Sequence, residues 1–377
     1  MHDVIVVGAG PGGGLAALKL VEAGARVLVL EGRALPRDKA CGGALTPGPV
    51  QAVMDWDFSA MVEARVPASR WQQNFGPTVD RLSDYGAWMV KRRDFDLHIL
   101  ERALERGGTA IDLRDGFQVA GVEETDDAVT VVGRNGERCA ARFLVGADGA
   151  AGRVAGSLGL GRRSRPGVAL DADVEVSPEG WAAEGGRMSF NFACVPGGYG
   201  WIFPKRGYLS CGVGSWSERG GMPGALDAYL ARALPAGSIR SQVRRGHPIP
   251  LYEGPARIST RRVCLVGDAA GLVDPILGEG IRFALASGAV AAGHIAGRLA
   301  GEDDDGLGYT RRAHAAVGVE LDRLRRFILP IFLGRPEHFF KTFFLGAQSY
   351  SGLARALDAT FPVQPDFEAA SQRSVQS

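Results

Sequence analysis

Apolar and polar positions fall in blocks that predict an α/β beginning to this chain. Residues 4–7 are four consecutive β-branched side chains, a run that predicts a strand covered on both faces. An apolar stretch of helical length follows at residues 15–23, and a second short apolar run occupies residues 25–30. This order of strand, helix and strand predicts a βαβ unit with parallel strands.

The pattern changes character twice further along the chain. Between residues 109 and 148 it predicts short strands, and between 166 and 245 helical periodicity fades and aromatic residues alternate along further strands. A buried strand pattern returns at residues 262–267 and leads into a long apolar helix from about residue 282 to 300. We therefore predict a discontinuous α/β domain into which an antiparallel-sheet domain is inserted. The predicted strands of these two regions are 110–113, 117–123, 128–133, 138–145, 168–176, 188–195, 200–203 and 208–213.

Glycines follow the first strand with the spacing G-x-G-x-x-G. Gly8 would make the tight turn, Gly10 would let a pyrophosphate approach the backbone, and Gly13 would let the helix pack closely on the strand. Glu31 ends the second strand, about 20 residues past the glycines, where a carboxylate accepts from ribose hydroxyls. An ordinary glycine-rich turn is the alternative. In this βαβ context the motif predicts a dinucleotide site, and Glu31 favours NAD or FAD over NADP.

Two later strands also lead into an aspartate. Asp148 lies in a G-A-D-G segment, and Gly267 precedes Asp268, in each case directly after a predicted strand. Ligands of open α/β sheets bind at these carboxyl ends. Gly280 begins the long apolar helix and would present a second helix N-terminus to a ligand.

A long loop after the second strand carries several cations. Prolines and glycines interrupt any helix there, and the loop contains Arg33, Arg37 and Lys39. These side chains could neutralise a pyrophosphate or an anionic substrate, or they form a solvated basic loop. Arg92 and Arg93 lie in the first turn of a predicted helix, where a cation opposes the helix dipole, so either is a candidate anion ligand or a surface residue.

Composition adds limits rather than a function. The chain has 377 residues, enough for two domains that share one large core, and its formal net charge of +1 gives no case for nucleic-acid binding. The five cysteines are widely spaced without a C-x-x-C, so neither a disulfide framework nor a metal site is expected. The first residues enter a strand directly, and no apolar run reaches the roughly 18 residues of a spanning helix. We therefore expect a cytoplasmic protein with reduced thiols.

The three nucleotide motifs, in this order, resemble the FAD-containing superfamily of aromatic hydroxylases over residues 1 to about 300. The resemblance implies a Rossmann-like FAD-binding domain in which Asp268 binds ribityl or pyrophosphate oxygens. It also implies that Gly280 and Ile281 offer backbone N–H groups to the flavin ring. One position departs from the superfamily pattern, because Gly152 stands where a serine is usual.

Two further motifs resemble the geranylgeranyl reductase family. One is Cys41-Gly42-Gly43, in the loop after the second strand, and the other is Y-x-W-x-F-P at residues 199–204, followed by seven residues and G-V-G. The resemblance implies reduction of isolated trisubstituted double bonds in polyprenyl chains by reduced FAD, with the second motif at the substrate cavity. The rings of that motif would form a rigid apolar wall whose faces favour transient positive charge on an alkene carbon, or they pack a sheet core.

The reaction implied by this resemblance makes specific demands on the site. An isolated alkene has no carbonyl that could stabilise an enolate, so the catalyst must supply both a hydride and a proton, and flavin N5 is the hydride source. Cys41, if held beside the flavin, would donate or relay the proton or tune the flavin, unless it only fills the turn before two glycines. Water must be excluded so that reduced flavin is not lost to side reactions.

Other functions share part of this signature. A flavin monooxygenase acting on an aromatic or specialised-metabolite substrate carries the three nucleotide motifs but needs neither Cys41 nor the aromatic stretch. A flavin-dependent halogenase carries a tryptophan-rich motif that ends in Ile-Pro and a catalytic lysine, and residues 201–204 are only loosely similar to that motif. A non-catalytic flavoprotein or lipid-binding module is the least favoured, because two paired flavin motifs are present.

The C-terminal region from residue 309 is predicted to be helical, and it is rich in phenylalanine. Six of the 17 phenylalanines lie between residues 327 and 344. They predict a core-packing lid, the wall of an apolar tunnel, or peripheral contact with the inner face of a membrane. The electron donor stays open between NADPH and another external donor, because no second dinucleotide fold is visible.

These observations define the predicted domains and site. The FAD-binding domain is predicted at residues 1–47, 76–165 and 246–308, the substrate-binding sheet domain at 48–75 and 166–245, and the helical C-terminal region at 309–377. The expected cofactor-binding residues are Gly8, Gly10, Gly13, Glu31, Arg33, Cys41, Gly42, Ala44, Arg92, Val119, Asp148, Gly267, Asp268, Gly278, Gly280 and Ile281. The expected substrate-binding residues are Tyr199, Trp201, Phe203, Pro204 and Gly212, and the expected catalytic residue is Cys41. The expected partners are a hydrophobic isoprenoid substrate and an external electron donor.

Overall fold

The computed structural model describes residues 2–161, 167–217 and 221–334, which fold around two β-sheets. The strands are β1 (His2–Val7), β2 (Val27–Leu30), β3 (Ala44–Leu45), β4 (Val62–Gln73), β5 (Thr78–Val90), β6 (Ile111–Arg114), β7 (Val119–Glu124), β8 (Val129–Gly133), β9 (Arg138–Gly146), β10 (Gly167–Val176), β11 (Met188–Phe192), β12 (Gly198–Pro204), β13 (Leu209–Ser215), β14 (Ile239–Ile249) and β15 (Val263–Leu265). The α-helices are α1 (Pro11–Glu22), α2 (Pro47–Gln51), α3 (Arg92–Gly107), α4 (Val154–Ser157), α5 (Pro178–Glu184), α6 (Met222–Ala233), α7 (Ile281–Leu299), α8 (Gly308–Ala313), α9 (Val319–Arg323) and α10 (Leu329–Gly334).

The first sheet has the strand order β6-β2-β1-β9-β8-β7, with β15 also paired to β9. β1 is parallel to both β2 and β9, in a register that aligns Val4 with Val27 and with Phe143. β6 and β15 extend this parallel set, whereas β7 and β8 are antiparallel. Helix α1 packs on β1, β2 and β9 and is flanked by α3 and α7, so the β-branched run of β1 is buried. The carboxyl ends of the parallel strands therefore meet at one edge of the sheet.

The second sheet has eight strands in the order β14-β10-β13-β12-β11-β4-β5-β3. Its pairings are antiparallel except for the parallel pair of β4 and β11. One face is covered by α6, and the other face carries aromatic side chains toward the first domain. The structure confirms the predicted fold class, a Rossmann-like α/β domain with an inserted, mainly antiparallel sheet domain and a helical C-terminal region.

Three predicted domain boundaries do not coincide with the sheets. β3 lies within residues 1–47, which were predicted for the FAD-binding domain, but it pairs with β5 in the second sheet. β5 pairs with β3 and β4, so residues 78–90, which the sequence assigned to the FAD-binding domain, lie in the second sheet. β14 pairs with β10 up to Ile249, so the second sheet continues past residue 245. A local pattern identifies a strand, but the partner of that strand depends on long-range pairing, which the pattern does not contain.

The aromatic motif lies on the hairpin of β12 and β13. Trp201 is paired with Gly212, and Tyr199 is paired with Gly214. A Cβ atom at Gly212 would overlap the Trp201 indole, and a Cβ at Gly214 would lie 3.3 Å from the Trp216 ring. The seven-residue spacing between the two halves of the motif is therefore the register of a hairpin, in which Gly212 makes room for the Trp201 ring of β12 and Gly214 for the Trp216 ring.

The C-terminal helical segment runs from α8 to α10 with π-helical turns at His314–Gly318 and Leu324–Ile328. Leu324 and Phe332 pack into the aromatic cluster of the second sheet, whereas Phe327 is 67% exposed. Glu320 of α9 pairs with Arg282 of α7 at 2.7 Å, which fixes this segment to the first domain. The phenylalanines at positions 339, 340, 343 and 344, which were predicted to form part of the lid, tunnel wall or membrane contact, lie outside the described residues. Within the described ranges, no helix combines the length and the apolar character needed to cross a bilayer.

Candidate active site

A deep cavity of about 750 Å³ opens at the carboxyl ends of the parallel strands in the first sheet. Its wall combines the glycine turn after β1, the end of β2, and the turns that follow β9 and β15. Ten of the predicted cofactor residues line this cavity, namely Gly8, Gly10, Gly13, Glu31, Arg33, Arg92, Val119, Asp148, Gly267 and Asp268. Its position is the one at which open α/β sheets bind their ligands.

The glycine turn owes its shape to steric exclusion. Gly8 has a φ of +102°, which other residues rarely adopt, and a Cβ there would overlap the Ala147 carbonyl. A Cβ at Gly13 would overlap the Gly8 carbonyl oxygen, so α1 can approach β1 only because position 13 lacks a side chain. The nearest atom to a Cβ at Gly10 is Arg37 Nη2, 3.7 Å away, which leaves this backbone accessible from the cavity. Helix α1 begins at the next residue, and its N-terminus borders the same space.

Glu31 is buried at the end of β2 and is held by three donors. Its Oε2 accepts the Ala9 N–H at 2.9 Å and lies 3.1 Å from Arg37 Nε. Its Oε1 accepts the Arg33 N–H at 3.1 Å. A carboxylate offers about four lone-pair positions, so these contacts leave room for a ribose hydroxyl.

Asp148 closes the turn after β9. Its Oδ2 accepts the N–H groups of Arg153 and Val154 at 2.5 and 2.9 Å. Burial raises the pKa of this carboxyl, and the two N–H groups oppose the shift. Its Oδ1 is buried and has no hydrogen-bond partner among the described residues, which leaves an acceptor for a ligand hydroxyl. A Cβ at Gly152 would overlap the carboxyl group, so the glycine at this position allows Asp148 to fold over the turn.

Asp268 lies between a lysine and a histidine where the two sheets meet. Lys39 Nζ is 3.2 Å from its Oδ2, and His247 Nε2 is 3.9 Å from the same atom. Burial alone would raise the pKa of Asp268, but Lys39 and His247 hold it below its usual range. Because His247 belongs to β14 of the second sheet, Asp268 links the two domains at the cavity.

These features fit the FAD that the motifs predict. Arg33, Arg37 and Lys39 line the same cavity as the N-terminus of α1 and would neutralise a pyrophosphate there. Glu31 would bind the adenosine ribose, and the unpartnered oxygen of Asp148 would accept from a further hydroxyl. When bound, the flavin supplies two-electron hydride chemistry.

A second cavity, of about 340 Å³, adjoins the first and is lined mainly by apolar side chains. Lys39, Arg92, His247 and Asp268 border both cavities, so the two spaces are continuous at these residues. The second sheet and its flanking turn contribute six aromatic rings to the wall, namely Trp71, Phe190, Tyr199, Trp201, Phe203 and Trp216. A ligand that extends from the first cavity into the second would therefore lie against an aromatic surface.

Tyr199 holds the opposite wall of the second cavity in place. Its hydroxyl donates to the Leu277 carbonyl, which ties the second sheet to the loop before α7. The loop is shaped by Asp274, whose Oδ1 accepts the N–H groups of Ile276 and Leu277 at 2.6 and 3.1 Å. Burial raises the pKa of Asp274 to about 6, and these two N–H groups oppose the shift. The loop brings three predicted flavin contacts to the cavity, namely Gly278, Gly280 and Ile281.

The two glycines of the C-G-G turn are enclosed by the second sheet. A Cβ at Gly42 would come within 2.8 Å of the Phe203 ring, and Gly43 has a φ of +64° against the Val90 carbonyl. Lys205, which is 3% exposed, donates to the carbonyls of Gly43 and Val90 at 3.2 and 2.8 Å. Burial lowers the pKa of Lys205 to about 8, against the opposing effect of nearby acidic groups. The turn is therefore shaped by the sheet domain rather than by its own sequence alone.

Cys41 lies at one end of a chain of buried charges. Cys41 and Arg92 both line the second cavity. Arg92 also forms a bidentate ion pair with Asp96, at 2.7 and 2.8 Å, and Asp96 Oδ2 lies 3.3 Å from Arg37 Nη1. Since Arg37 contacts Glu31 in turn, alternating charges connect the expected ribose site with the thiol.

The structure places every predicted cofactor residue on one of the two cavities, and it places Tyr199, Trp201 and Phe203 on the second. Pro204 and Gly212 line neither cavity, in contrast to their predicted role as substrate contacts. Pro204 ends β12, and Gly212 lies beneath the Trp201 ring. Both residues therefore shape the wall from behind it.

Five residues on the second cavity were not among the predicted site residues, namely Trp71, Asp171, Phe190, Trp216 and His247. The alternation of side chains along β10 could have identified Asp171. Leu170, Ala172 and Val174 pack into the apolar cluster on one face of the sheet. Asp171 must then face the other way, toward the cavity. No comparable signal marks His247, because its role depends on how the two sheets meet. Within the described part of the chain, no cluster of His, Cys, Asp and Glu could hold a metal ion.

Comparison with known proteins identifies the class of protein. Residues 1–188 match the family described as an FAD binding domain. Digeranylgeranylglycerophospholipid reductase 1 of Methanopyrus kandleri is 30% identical over 335 residues, which cover 82% of this chain and 84% of that protein. The chloroplastic geranylgeranyl diphosphate reductase of Oryza sativa subsp. japonica is 31% identical over 330 residues, covering 80% of this chain and 69% of that protein.

Solved structures share the fold. A geranylgeranyl bacteriochlorophyll reductase-like protein from Thermoplasma acidophilum superimposes with a TM-score of 0.73 at 21% identity, covering 95% of this chain and 99% of that one. Flavin-dependent halogenases have the same fold as well. Fold and site together define an FAD-dependent oxidoreductase. Within that class, the chain belongs to the geranylgeranyl reductase family.

Proposed function

We propose that this enzyme reduces isolated carbon–carbon double bonds in a polyprenyl, geranylgeranyl-type substrate. The observation that carries the proposal is the aromatic-walled cavity, which is continuous with the cofactor cavity at Lys39 and Asp268 and is bordered by Cys41 and the loop before α7. A polyprenyl chain has only apolar surface to offer, and this cavity buries such surface against rigid rings. The named relatives in the family are reductases of geranylgeranyl compounds.

Different residues would bind the nucleotide, the flavin ring and the double bond. The first cavity would hold the FAD nucleotide through Glu31, Asp148 and the α1 N-terminus, and the loop at 278–281 would border the flavin ring. Tyr199 and Trp201 would fix the double bond and stabilise positive charge that develops on its carbons. The packed walls would exclude water from the reduced flavin, whose electrons would come from an external donor such as NADPH.

Anaerobic turnover with a defined substrate tests the proposal. Purified enzyme, reduced with dithionite in one arm and with NADPH in another, is mixed with geranylgeranyl diphosphate, and the products are examined by mass spectrometry. We expect flavin reoxidation without oxygen and product masses that rise by two hydrogens for each bond reduced. An enzyme that stays reduced in the presence of geranylgeranyl diphosphate and of its lipid ethers would contradict the proposal.

A monooxygenase or halogenase is the alternative with the same fold. These reactions require oxygen, so a product that gains one oxygen atom or a halogen only in air would favour them. The lysine that lines the second cavity, Lys39, is already held by Asp268 at 3.2 Å. The Cys41 turn and the aromatic hairpin are built into the cavity wall, and neither is needed for oxygen chemistry. The reductase is therefore the better match to this site.

We also propose that the C-terminal helical segment contacts a membrane surface that holds the substrate. Phe327 is 67% and Leu333 45% exposed. The exposed Arg323 and Arg326 precede Phe327 in the sequence, and Arg326 pairs with Asp322 at 3.2 Å, so Arg323 is the cation that would meet an anionic bilayer. We expect Phe327→Ser to reduce co-flotation with phosphatidylglycerol vesicles, whereas Leu82→Ser, at an exposed leucine on β5, leaves it unchanged. Full-length protein that does not float with these vesicles at all would contradict this proposal.

A further inference from the structure

The face of the second sheet that borders the substrate cavity is not apolar throughout. One row across adjacent strands consists of Arg245, Asp171, Gly212, Trp201 and Phe190. Asp171 is 4% exposed and lines the cavity beside the rings. Gly212, which separates the acid from the indole in this row, has no side chain, and the indole covers it. The row therefore places a carboxyl group next to the aromatic wall.

Asp171 has no counter-ion of its own. Arg245 lies opposite it in the strand register, but the Arg245 guanidinium pairs with Asp173 at 2.7 Å. Over the described ranges, no cationic side chain lies within ion-pair distance of the Asp171 carboxyl. Burial, followed by the charge of Asp173, raises the pKa of Asp171 to about 7, while Arg245 and the Cys41 N–H oppose the shift. A carboxyl in this environment retains its proton for part of the time at neutral pH.

Cys41 lines the same cavity, but its contacts suit a different role. Its sulfur accepts the Gly43 N–H at 3.3 Å, so this contact uses the sulfur as an acceptor. Its backbone N–H opposes the rise in the pKa of Asp171 that burial causes. The C-G-G turn and the acid border the same cavity as the expected flavin contacts.

We propose that Asp171 is the general acid of this site, giving its carboxyl proton to one carbon of the double bond while the other carbon receives the hydride. The inference rests on the proposed function. The O–H bond of Asp171 breaks as the π electron pair forms a C–H bond, and the tertiary positive charge left on the second carbon faces Trp201 and Tyr199. Bound reduced FAD would supply the hydride with its two electrons and would be oxidised as the alkene becomes an alkane. Asp171 then takes a proton from water.

The variant Asp171→Asn tests this role without changing the size of the side chain. Asparagine keeps an oxygen that can accept the Cys41 N–H but has no acidic proton. We expect anaerobic reoxidation of the reduced enzyme by geranylgeranyl diphosphate to slow by at least about 100-fold, with flavin content and the rate of flavin reduction unchanged. The matched control is Glu175→Gln, an exposed acid on the same strand, which should stay within about threefold of the wild type. Formate should partly restore the rate of Asp171→Ala, as it does when a missing carboxylic acid is the proton source.

The pH profile adds a second readout. A general acid must be protonated, so the wild-type rate should be high below pH 7 and fall above it, following the pKa of about 7. The charged or titratable groups facing Asp171 are Asp173, Arg245, Lys205, Cys41 and, along the same cavity, His247. We expect the alkaline fall to disappear in Asp171→Asn and to persist in His247→Gln. Loss of the fall in His247→Gln alone would overturn the assignment.

An infrared measurement separates this inference from the proposed function, because it needs no substrate. At neutral pH the wild type should show a protonated-carboxyl C=O band that Asp171→Asn lacks and Glu175→Gln retains. Absence of that difference would overturn the assignment, as would an Asp171→Asn enzyme that reduces the alkene at the wild-type rate. Wild-type enzyme that reduces no prenyl substrate would overturn the proposed function, and the assignment with it, even if the infrared band is present.

Discussion

Gly13→Ala is expected to yield a protein that is purified without FAD and unfolds at a lower temperature. A Cβ at position 13 would overlap the Gly8 carbonyl oxygen and lie 3.0 Å from the Ala147 side chain. Neither neighbour can move without shifting β1 or β9, so α1 must move away and carry its N-terminus off the pyrophosphate position. Overpacking of this kind costs about 1–3 kcal/mol, and the stabilisation that bound FAD provides is lost as well.

The measurement is the flavin absorbance per mole of protein together with a thermal melt with and without added FAD. Gly293→Ala in α7 is the matched control, because this exposed helical glycine has no atom within 4 Å of the position of a Cβ. That variant should keep its flavin and gain about 0.5–1 kcal/mol, since alanine is the better helix former. A Gly13→Ala protein that remained yellow and melted with the wild type would show that the close approach of helix and strand is not needed.

Asp96→Asn is expected to destabilise the folded protein by about 3–5 kcal/mol, because it leaves a buried guanidinium without its carboxylate. Arg92 and Asp96 form two hydrogen bonds at 2.7 and 2.8 Å, and their side chains are 5% and 3% exposed. Asp96 also lies 3.3 Å from Arg37, so one substitution disturbs two cations of the cofactor cavity. Urea unfolding measures the change, and a lower flavin content should accompany it.

A surface pair with the same geometry provides the control. Arg70 and Asp80 are also bidentate, at 2.8 and 2.9 Å, but the Asp80 side chain is 54% exposed. Asp80→Asn should therefore cost less than about 1 kcal/mol. The double variant Arg92→Leu with Asp96→Leu should recover much of the stability lost in Asp96→Asn, because it removes the unpaired charge. If Asp96→Asn and Asp80→Asn lowered the free energy of unfolding equally, burial would not determine how much each substitution destabilises the protein.

Positions whose role is local could be predicted from the sequence. The spacing of Gly8, Gly10 and Gly13 predicts positions at which a side chain would not fit. In the structure, a Cβ at Gly8 would overlap the Ala147 carbonyl, and a Cβ at Gly13 would overlap the Gly8 carbonyl. The aromatic motif and the glycines that follow it predict a cavity wall, and the hairpin register explains their spacing. The carboxyl ends of β1, β2, β9 and β15 were expected to collect ligand contacts, because parallel strands point the same way.

The contacts of individual side chains could not be predicted where the contacting residues are distant in sequence. Tyr199 was expected only as a ring, yet its hydroxyl ties the second sheet to Leu277. Pro204 and Gly212 were expected to touch substrate, yet they lie behind the wall. In each case the motif predicted that the residue belongs to the cavity wall. Its contacts depend on the register of strands far apart in the chain.

This chain's amino-acid order by itself determined a βαβ nucleotide site, an inserted sheet with an aromatic hairpin, and the family to which the protein belongs. Tertiary structure alone decided that β5 joins the second sheet, that Lys205 shapes the C-G-G turn, and that Asp171 and His247 reach the cavity. The reason is physical. Turn geometry and strand period are properties of a few consecutive residues, whereas Asp171 is buried without a counter-ion because the fold places it on the cavity wall and pairs Arg245 with Asp173 instead.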